Sequence, residues 1–364
     1  MNKKICFIAA NNLYLYPYLQ KYISVIGDKR EYDIIFWNRR LIDETCGEKE
    51  RFSYDFDMDM SENVPKLKKL RGYSGFCRFT KKIIKQKKYS LVILLNTTVG
   101  VMLKSTLLKH YKNKYIFDVR DYTYENNKIF YKAEKSLIEN SKINIISSDG
   151  YKKFLPQGEY TVSHNETDIS DDIIKKFRSR GKNNKNNKIV LTFIGFIRFY
   201  EQNIKIINTF GNDNRFELRF IGAGALSLSE YCENNNINNV VIHDRFPFEK
   251  TLDFLYETDC ILNLYGNHTP HLDYALSNKL YYAAKLGMPI LVCPDTYMEE
   301  ISTEYGFGFC FDLNDENAKE KFYEYYNSIN REDFYKNCDR FLDKINAEQK
   351  LFSGNILKIL GEKF

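Results

Sequence analysis

A chain of 364 residues exceeds what a single hydrophobic core usually organises, so two domains are expected. A net charge of +6 with 28% charged residues is too modest for a dedicated nucleic-acid binder, and eight scattered cysteines without a C-x-x-C pair or metal-like spacing read as those of a reducing cytoplasm. The longest apolar run, residues 91–103, is broken by Asn96, Thr97 and Thr98 and falls short of a membrane span; residues 1–12 hold too brief an apolar run for a signal peptide.

In chain order, residues 4–10 predict a strand, 15–26 a helix and 32–37 a second strand. The acidic segment 43–62 reads as a long loop or an acceptor-side excursion; it includes Asp57-Met58-Asp59, which has the letters of a metal pair but lies outside the sheet pattern and reads as loop. Residues 66–88 carry Lys66, Lys68, Lys69, Arg71, Arg78, Lys81, Lys82, Lys85, Lys87 and Lys88 with no acidic residue, interleaved with Leu67, Leu70 and aromatic positions. Such a stretch suits an anionic membrane surface, or is a solvated helix. Strands follow at 89–95, 114–119 and 143–148, with helices at 97–111 and 128–140 between them. The alternation predicts a parallel, doubly wound sheet.

Residues 169–188 break the pattern. Their polar, basic composition reads as a linker. Strands then recur at 189–194, 216–221, 240–242, 260–264 and 290–292, and residues 316–360 read as amphipathic helices. The expected organisation is a first α/β domain at 1–168, the linker 169–188, a second α/β domain at 189–345, and a helix at 346–364 returning to the first domain. Two Rossmann-like halves of this kind would hold a ligand in a cleft, at the carboxyl ends of their strands.

The densest local signal is residues 276–301. Ser277 is a natural N-cap, Leu280, Ala283 and Ala284 recur at helical spacing, Gly287 and Pro289 end the helix, and Ile290, Leu291 and Val292 form a strand. A helix N-terminus with Lys279 in its first turn, and Tyr282 three residues on, suits a phosphate. An ordinary helix–strand unit with a solvated lysine fits the same letters.

The ordered set of motifs resembles the GT-B glycosyltransferases of the family-4 kind. Phe117-Asp118-Val119-Arg120-Asp121 is similar to that group's "DVRD" strand end, and Lys132-Ala133-Glu134 through Ser147-Ser148 to its next helix and strand. His164-Asn165-Glu166-Thr167-Asp168 stands where such enzymes carry "xNGxD", with Glu166 in place of glycine. In the second half, residues 193–198, Phe220-Ile221-Gly222-Ala223-Gly224, residues 256–264, and Asn278-Lys279-Leu280 with Gly287-Met288-Pro289 resemble the donor-domain motifs. One departure is plain: Tyr274 and Tyr282 occupy the positions of two usual glutamates, the second of which holds the nucleotide ribose.

The resemblance implies a GT-B architecture, two Rossmann-like domains facing across a cleft, and a metal-independent, retaining sugar transfer. No cofactor is implied beyond the nucleotide-diphosphate sugar as co-substrate. Arg198, Lys279 and Glu300 are then the expected catalytic residues. Gly195, Gly222, Gly224, Ser277, Asn278, Tyr282 and Glu299 would bind the donor. Asn11, Asn12, Asp118, Arg120 and Asp121 would face the acceptor. Each has a plainer reading: glycine turns, loop asparagines, helix-start glutamates, an Arg–Asp structural pair. His268, His271 and Asp273 approach ligand spacing, but Pro270 intervenes and no third strong ligand is visible.

The expected function is transfer of a sugar onto a lipid-linked saccharide in bacterial surface polysaccharide synthesis. The expected location is the cytoplasm, peripheral at the inner face of the membrane through residues 66–88, with no nucleic-acid partner. A catalytically silent glycosyltransferase-like subunit, motivated by the missing glutamates, and a nucleotide-sugar epimerase of the same architecture are the competing readings.

Overall fold

The computed structural model describes residues 4–27, 31–44, 50–60, 64–180 and 188–361. It divides into two compact units, one running to His164 and resuming at Ala347, the other spanning Asn165–Asn346. No helix among the described residues is long and apolar enough to cross a membrane.

The first unit is built on seven parallel strands: β1 (Ile5–Ala9), β2 (Tyr32–Asn38), β3 (Glu50–Asp57), β4 (Leu91–Leu94), β5 (Tyr115–Val119), β6 (Ile143–Ile146) and β7 (Tyr160–Val162). Their spatial order is β3-β2-β1-β4-β5-β6-β7. The central strands are buried on both faces, as parallel strands sheathed by helices must be, which is why β1 and β4 read as unbroken apolar runs. One face packs Phe7 and Ile34 against Tyr22, from the helix Leu19–Ile26, and against Phe352 and Ile356 of the last helix, Arg331–Gly361. Each such side chain, fully buried, contributes about 1.5–3 kcal/mol.

The expected loop at 43–62 is in part a strand, and Asp57 is the last residue of β3 rather than a loop residue. β3 runs along the sheet edge beside β2, and Tyr54 and Phe56 alternate with the exposed Asp55 and Asp57. Phe56 meets Trp37 edge-on at 5.7 Å and lies 6.0 Å from Phe76. Half-buried edge strands alternate and so escape a search for apolar runs.

The second unit holds β8 (Ile189–Ile194), β9 (Phe216–Ile221), β10 (Val240–His243), β11 (Cys260–Asn263), β12 (Ile290–Val292) and β13 (Gly308–Cys310). All pair in parallel, in the order β10-β9-β8-β11-β12-β13. In both sheets the first strand of the unit lies inside and the winding reverses beside it, the doubly wound pattern that places ligands at the reversal point. The segment expected to be a linker is partly helical: Asp171–Ser179 is a helix whose Phe177 packs edge-on against Tyr256 at 5.1 Å. Residues 181–187 of the basic run lie outside the described residues.

The stretch 276–301 folds as its pattern dictates. Ser277 accepts from the Lys279 N–H at 3.3 Å and caps the helix Asn278–Leu286. Gly287, at φ 69°, closes it, with the Met288 N–H returning 2.9 Å to the Ala283 carbonyl. Leu280, Ala283 and Ala284 are wholly buried.

Candidate functional site

A cavity of about 480 Å³ opens at the carboxyl ends of β8, β9 and β11, where the winding of the second sheet reverses. Its floor is made by two loops pressed together. The Gly195 N–H donates to the Ile221 carbonyl and the Ile197 N–H to the Ala223 carbonyl, both at 2.9 Å. Gly195 and Gly222 have φ of 117° and 136°, and a Cβ on Gly222 would lie 1.8 Å from the Gly195 carbonyl oxygen. Only glycine fits there. Gly224 makes a comparable approach to the Ile197 carbonyl.

The helix Asn278–Leu286 aims its N-terminus into this cavity, and Ser277, Asn278, Lys279 and Tyr282 all line it. Lys279 is 6% exposed. Its Nζ donates to the Tyr265 hydroxyl at 2.7 Å and stands over the rings of Phe193 and Tyr265, 5.0 and 4.5 Å from their centroids. Among the described residues no carboxylate pairs with it. Ring faces and a phenol recover part of the lost hydration of an ammonium, but a buried cation without a counter-ion is costly to hold.

Two more cations line the same cavity. Arg198 lies against the Phe196 ring at 5.1 Å, and Arg245 extends from the loop after β10. Both are exposed, and neither has an ion-pair partner among the described residues. Among the described residues no carboxylate lines the cavity. Together with the orphan N–H groups and positive dipole end of a helix, three cations make a site for a multiply charged anion flanked by aromatic walls. Arg245 and Tyr265 had no sequence signal. They join the site because the sheet order β10-β9-β8-β11 lines up the carboxyl ends of these four strands along one rim.

Glu299 and Glu300, by contrast, stand apart from this cavity. Glu299 accepts from the Asp295 N–H at 2.7 Å while its own N–H reaches the Thr296 hydroxyl, so it works as part of a helix cap. Glu300 is exposed on the same helix and does not line the cavity. The Tyr282 hydroxyl faces Thr167 Oγ1 at 3.4 Å, and burial pushes its phenol up. Tyr274 closes the short helix Pro270–Asp273, which also carries His271. Among the described residues no group of potential ligands gathers to hold a metal ion. Glu166 forms an ion pair with Lys285 at 2.8 Å, and Lys285 also donates to the Thr167 carbonyl. The glutamate that departs from the family pattern thus ties the start of the second unit to the site helix.

The expected acceptor residues are largely engaged in the first unit. Asp118 and Arg120, 0% and 4% exposed, form a bidentate pair at 2.6 and 2.9 Å. Tyr22 donates to Asp118 at 2.7 Å, Arg120 donates to the Ser163 carbonyl at 2.7 Å, and the guanidinium covers the Tyr18 ring at 4.0 Å. Burial pushes the Asp118 carboxyl up while Arg120 and Tyr22 pull against it. Asn12 is wholly buried, bridging Asn38 and Glu44 at 2.9 and 2.8 Å, and Asn11 accepts from the Asn12 N–H. Of this group Asp121 alone is exposed.

No protein-family model and no curated protein matches the sequence. Solved structures do. A sucrose-phosphate synthase from Thermosynechococcus elongatus superposes with a TM-score of 0.72 at 11% identity, over 98% of this chain and 99% of that one. The lipopolysaccharide outer core galactosyltransferase WaaB gives 0.66 at 13%, over 98% and 99%. HepE from Anabaena, in complex with UDP, gives 0.66 at 12%, over 98% and 100%. The fold is GT-B. Identities this low establish architecture alone, and the chemistry has to come from the cavity itself.

Proposed function

We propose that this chain is a glycosyltransferase that moves a sugar from a nucleotide-diphosphate donor to a saccharide acceptor. The observation that carries the reading is Lys279: a buried, counter-ion-free cation at a helix N-terminus, inside a cavity at the reversal point of a doubly wound sheet. Structural relatives described in complex with UDP and with UDP-glucose support the donor class.

The chemistry follows from charge. The bond between the anomeric carbon and the β-phosphate oxygen breaks with its electron pair on the diphosphate, and the acceptor hydroxyl oxygen bonds to that carbon. The acceptor proton leaves with the departing phosphate. Lys279, the N–H groups at the start of its helix, and Arg198 and Arg245 stabilise the negative charge as it develops, the part a divalent ion plays elsewhere. Retention of anomeric configuration, a lipid-linked acceptor in bacterial surface polysaccharide synthesis, and peripheral attachment to the inner membrane face complete the proposal.

One observation favours a second reading, a glycosyltransferase-like subunit that binds without transferring. Tyr282 faces Thr167 where a ribose-binding carboxylate is the family pattern, and among the described residues no carboxylate lines the cavity. Thermal denaturation with UDP, GDP, ADP and their sugar conjugates, followed by transfer assays, separates the two. Stabilisation by a nucleoside diphosphate that is lost in Lys279→Met, accompanied by transfer, is the expected result. Stabilisation without turnover on any sugar conjugate supports the silent subunit. No stabilisation by any nucleotide overturns both.

A further inference from the structure

A second basic site lies in the first unit. A pocket of about 520 Å³ sits where the helices Lys66–Lys87 and Thr97–His110 end and β4 and β5 begin. That is the amino-terminal edge of the sheet, opposite to the end at which doubly wound folds place their chemistry. Its rim carries Lys81, Lys85, Lys88, Lys114 and His110, and its floor is Ile84, Tyr89 and Tyr111. None of the four lysines has an ion-pair partner among the described residues, and no carboxylate lines the pocket.

Helix dipoles account for only part of this. A helix C-terminus attracts cations within its last turn, which covers Lys85 and His110. Lys81 lies further inside its helix, and Lys88 and Lys114 follow the helix ends. Lys88 is also held at φ 51°, a backbone conformation that glycine adopts more easily. Four lysines lining one pocket without a carboxylate give it a positive rim that an anion would complement.

The pocket continues a stripe on the same helix. Leu67, Leu70, Ser74, Arg78, Lys81, Lys85 and Lys88 recur at helical spacing and are exposed or half-buried, while Gly72, Phe76, Thr80 and Ile83 face the core. Leu67 and Leu70 are 62% and 67% exposed, an unusual display for two leucines on one turn. Cations flanking exposed leucines match an anionic bilayer interface.

We infer that this pocket holds the terminal phosphate of a membrane lipid headgroup while Leu67 and Leu70, about 20–25 Å away along the same helix, insert into the same interface. The inference rests on the peripheral-membrane part of the proposed function and gives it an address. A spread stripe would answer to any anionic surface; four lysines converging on one pocket answer to a doubly charged phosphomonoester in preference to a singly charged diester.

The test is sedimentation of the full chain with phosphatidylcholine vesicles carrying either phosphatidic acid or phosphatidylglycerol, matched for total negative charge. Phosphatidic acid is expected to bind about tenfold more tightly, and the variant Lys81→Gln/Lys85→Gln/Lys88→Gln/Lys114→Gln to lose that preference. Lys68→Gln/Lys69→Gln, equally basic in origin but outside the pocket, should weaken both lipids alike and keep the preference. Leu67→Ser/Leu70→Ser should weaken binding to both at high salt, where surface charge is screened. Equal binding of the two lipids, or a preference that survives the pocket variant, overturns the inference. So does stabilisation by glycerol phosphate without vesicle binding, which would assign a soluble ligand, or tighter binding to single-stranded RNA than to any vesicle. Stabilisation by nucleoside diphosphate, measured on the same variants without vesicles, reports on the donor site separately, so failure here leaves that reading standing.

Discussion

Arg120 and Lys279 are both buried cations, one in each unit, at 4% and 6% exposure, and their surroundings differ in kind. Arg120 has a bidentate carboxylate, a backbone carbonyl and an aromatic face, and Asp118 in turn accepts from Tyr22. Every strong interaction it can make is made. Lys279 has a phenol and two ring faces. A fold that needs a buried charge for its own stability supplies the opposite charge, because desolvating one ion alone costs several kcal/mol. A site that must receive an anion has to leave the cation unmatched. On the proposed function the contrast gives the first a structural part and the second a binding one, although it is the stretch around Arg120 that carries the resemblance without a departure.

The largest expected effect tests the structural side. Asp118→Ala strands the Arg120 guanidinium, which cannot shed its proton, and should cost about 3–5 kcal/mol, roughly 10 °C in the melting of the first unit. Nucleotide stabilisation of the second unit should persist at temperatures where the variant remains folded. A variant that melts normally but loses transfer would move Asp118 into the acceptor site.

Lys279→Met tests the other side with the signs reversed. Removing one preorganised donor to a leaving diphosphate should lower turnover by about 10²–10³-fold. Unliganded stability should hold or rise, since an uncompensated charge is replaced by an apolar chain of similar length. If Lys279→Met instead melts early and its folded fraction transfers normally, Lys279 is a core residue held by Tyr265.

Glu134 offers a third solution to the same problem. It is wholly buried on the helix Lys128–Ile138, and neither carboxyl oxygen has a hydrogen-bond partner among the described residues. Burial, with Glu125 nearby, pushes its carboxyl up to about 8. Unlike Arg120, it can neutralise itself. With the folded value above the unfolded one, the native state binds more protons, so stability falls as pH rises from about 4.5 to 8. The cost at pH 7 is roughly 3 kcal/mol. Glu134→Gln should therefore match the native chain in urea unfolding at pH 5 and exceed it at pH 8. An equal difference at both pH values would mean that Glu134 is already ionised in the fold.

These environments were unequally legible in the sequence. Interior parallel strands such as Ile5–Ala9 and Leu91–Leu94 are apolar throughout because both faces are covered, and they were readable. The strands missed, β3, β7 and β13, are all at sheet edges. Two of them have three residues, and the third alternates polar and apolar. Lys279 was legible because capping is a local code. Its phenol partner was not: Tyr265 lies fourteen residues away, just past β11, and meets Lys279 only where the helix Asn278–Leu286 packs back beside that strand. The engagement of Asp118 by Tyr22 is likewise a product of packing across the sheet. A motif names the residues at a strand end without saying whether they face a ligand or each other.

The smallest expected effect concerns the exposed arginines. If the cavity holds a diphosphate, Arg245 and Arg198 contribute in partly solvated positions, where a charge is screened and worth about 1 kcal/mol or less. Arg245→Ala should therefore weaken nucleoside diphosphate binding by about twofold to fivefold at low salt and by less at 0.5 M salt. The loss in Lys279→Met, arising in a buried position, should depend little on salt. Calorimetric titration of UDP into the two variants at both ionic strengths reads the difference directly. Equal salt dependence would mean that Lys279 is as solvated as the arginines, and the contrast between the two buried cations would lose its basis.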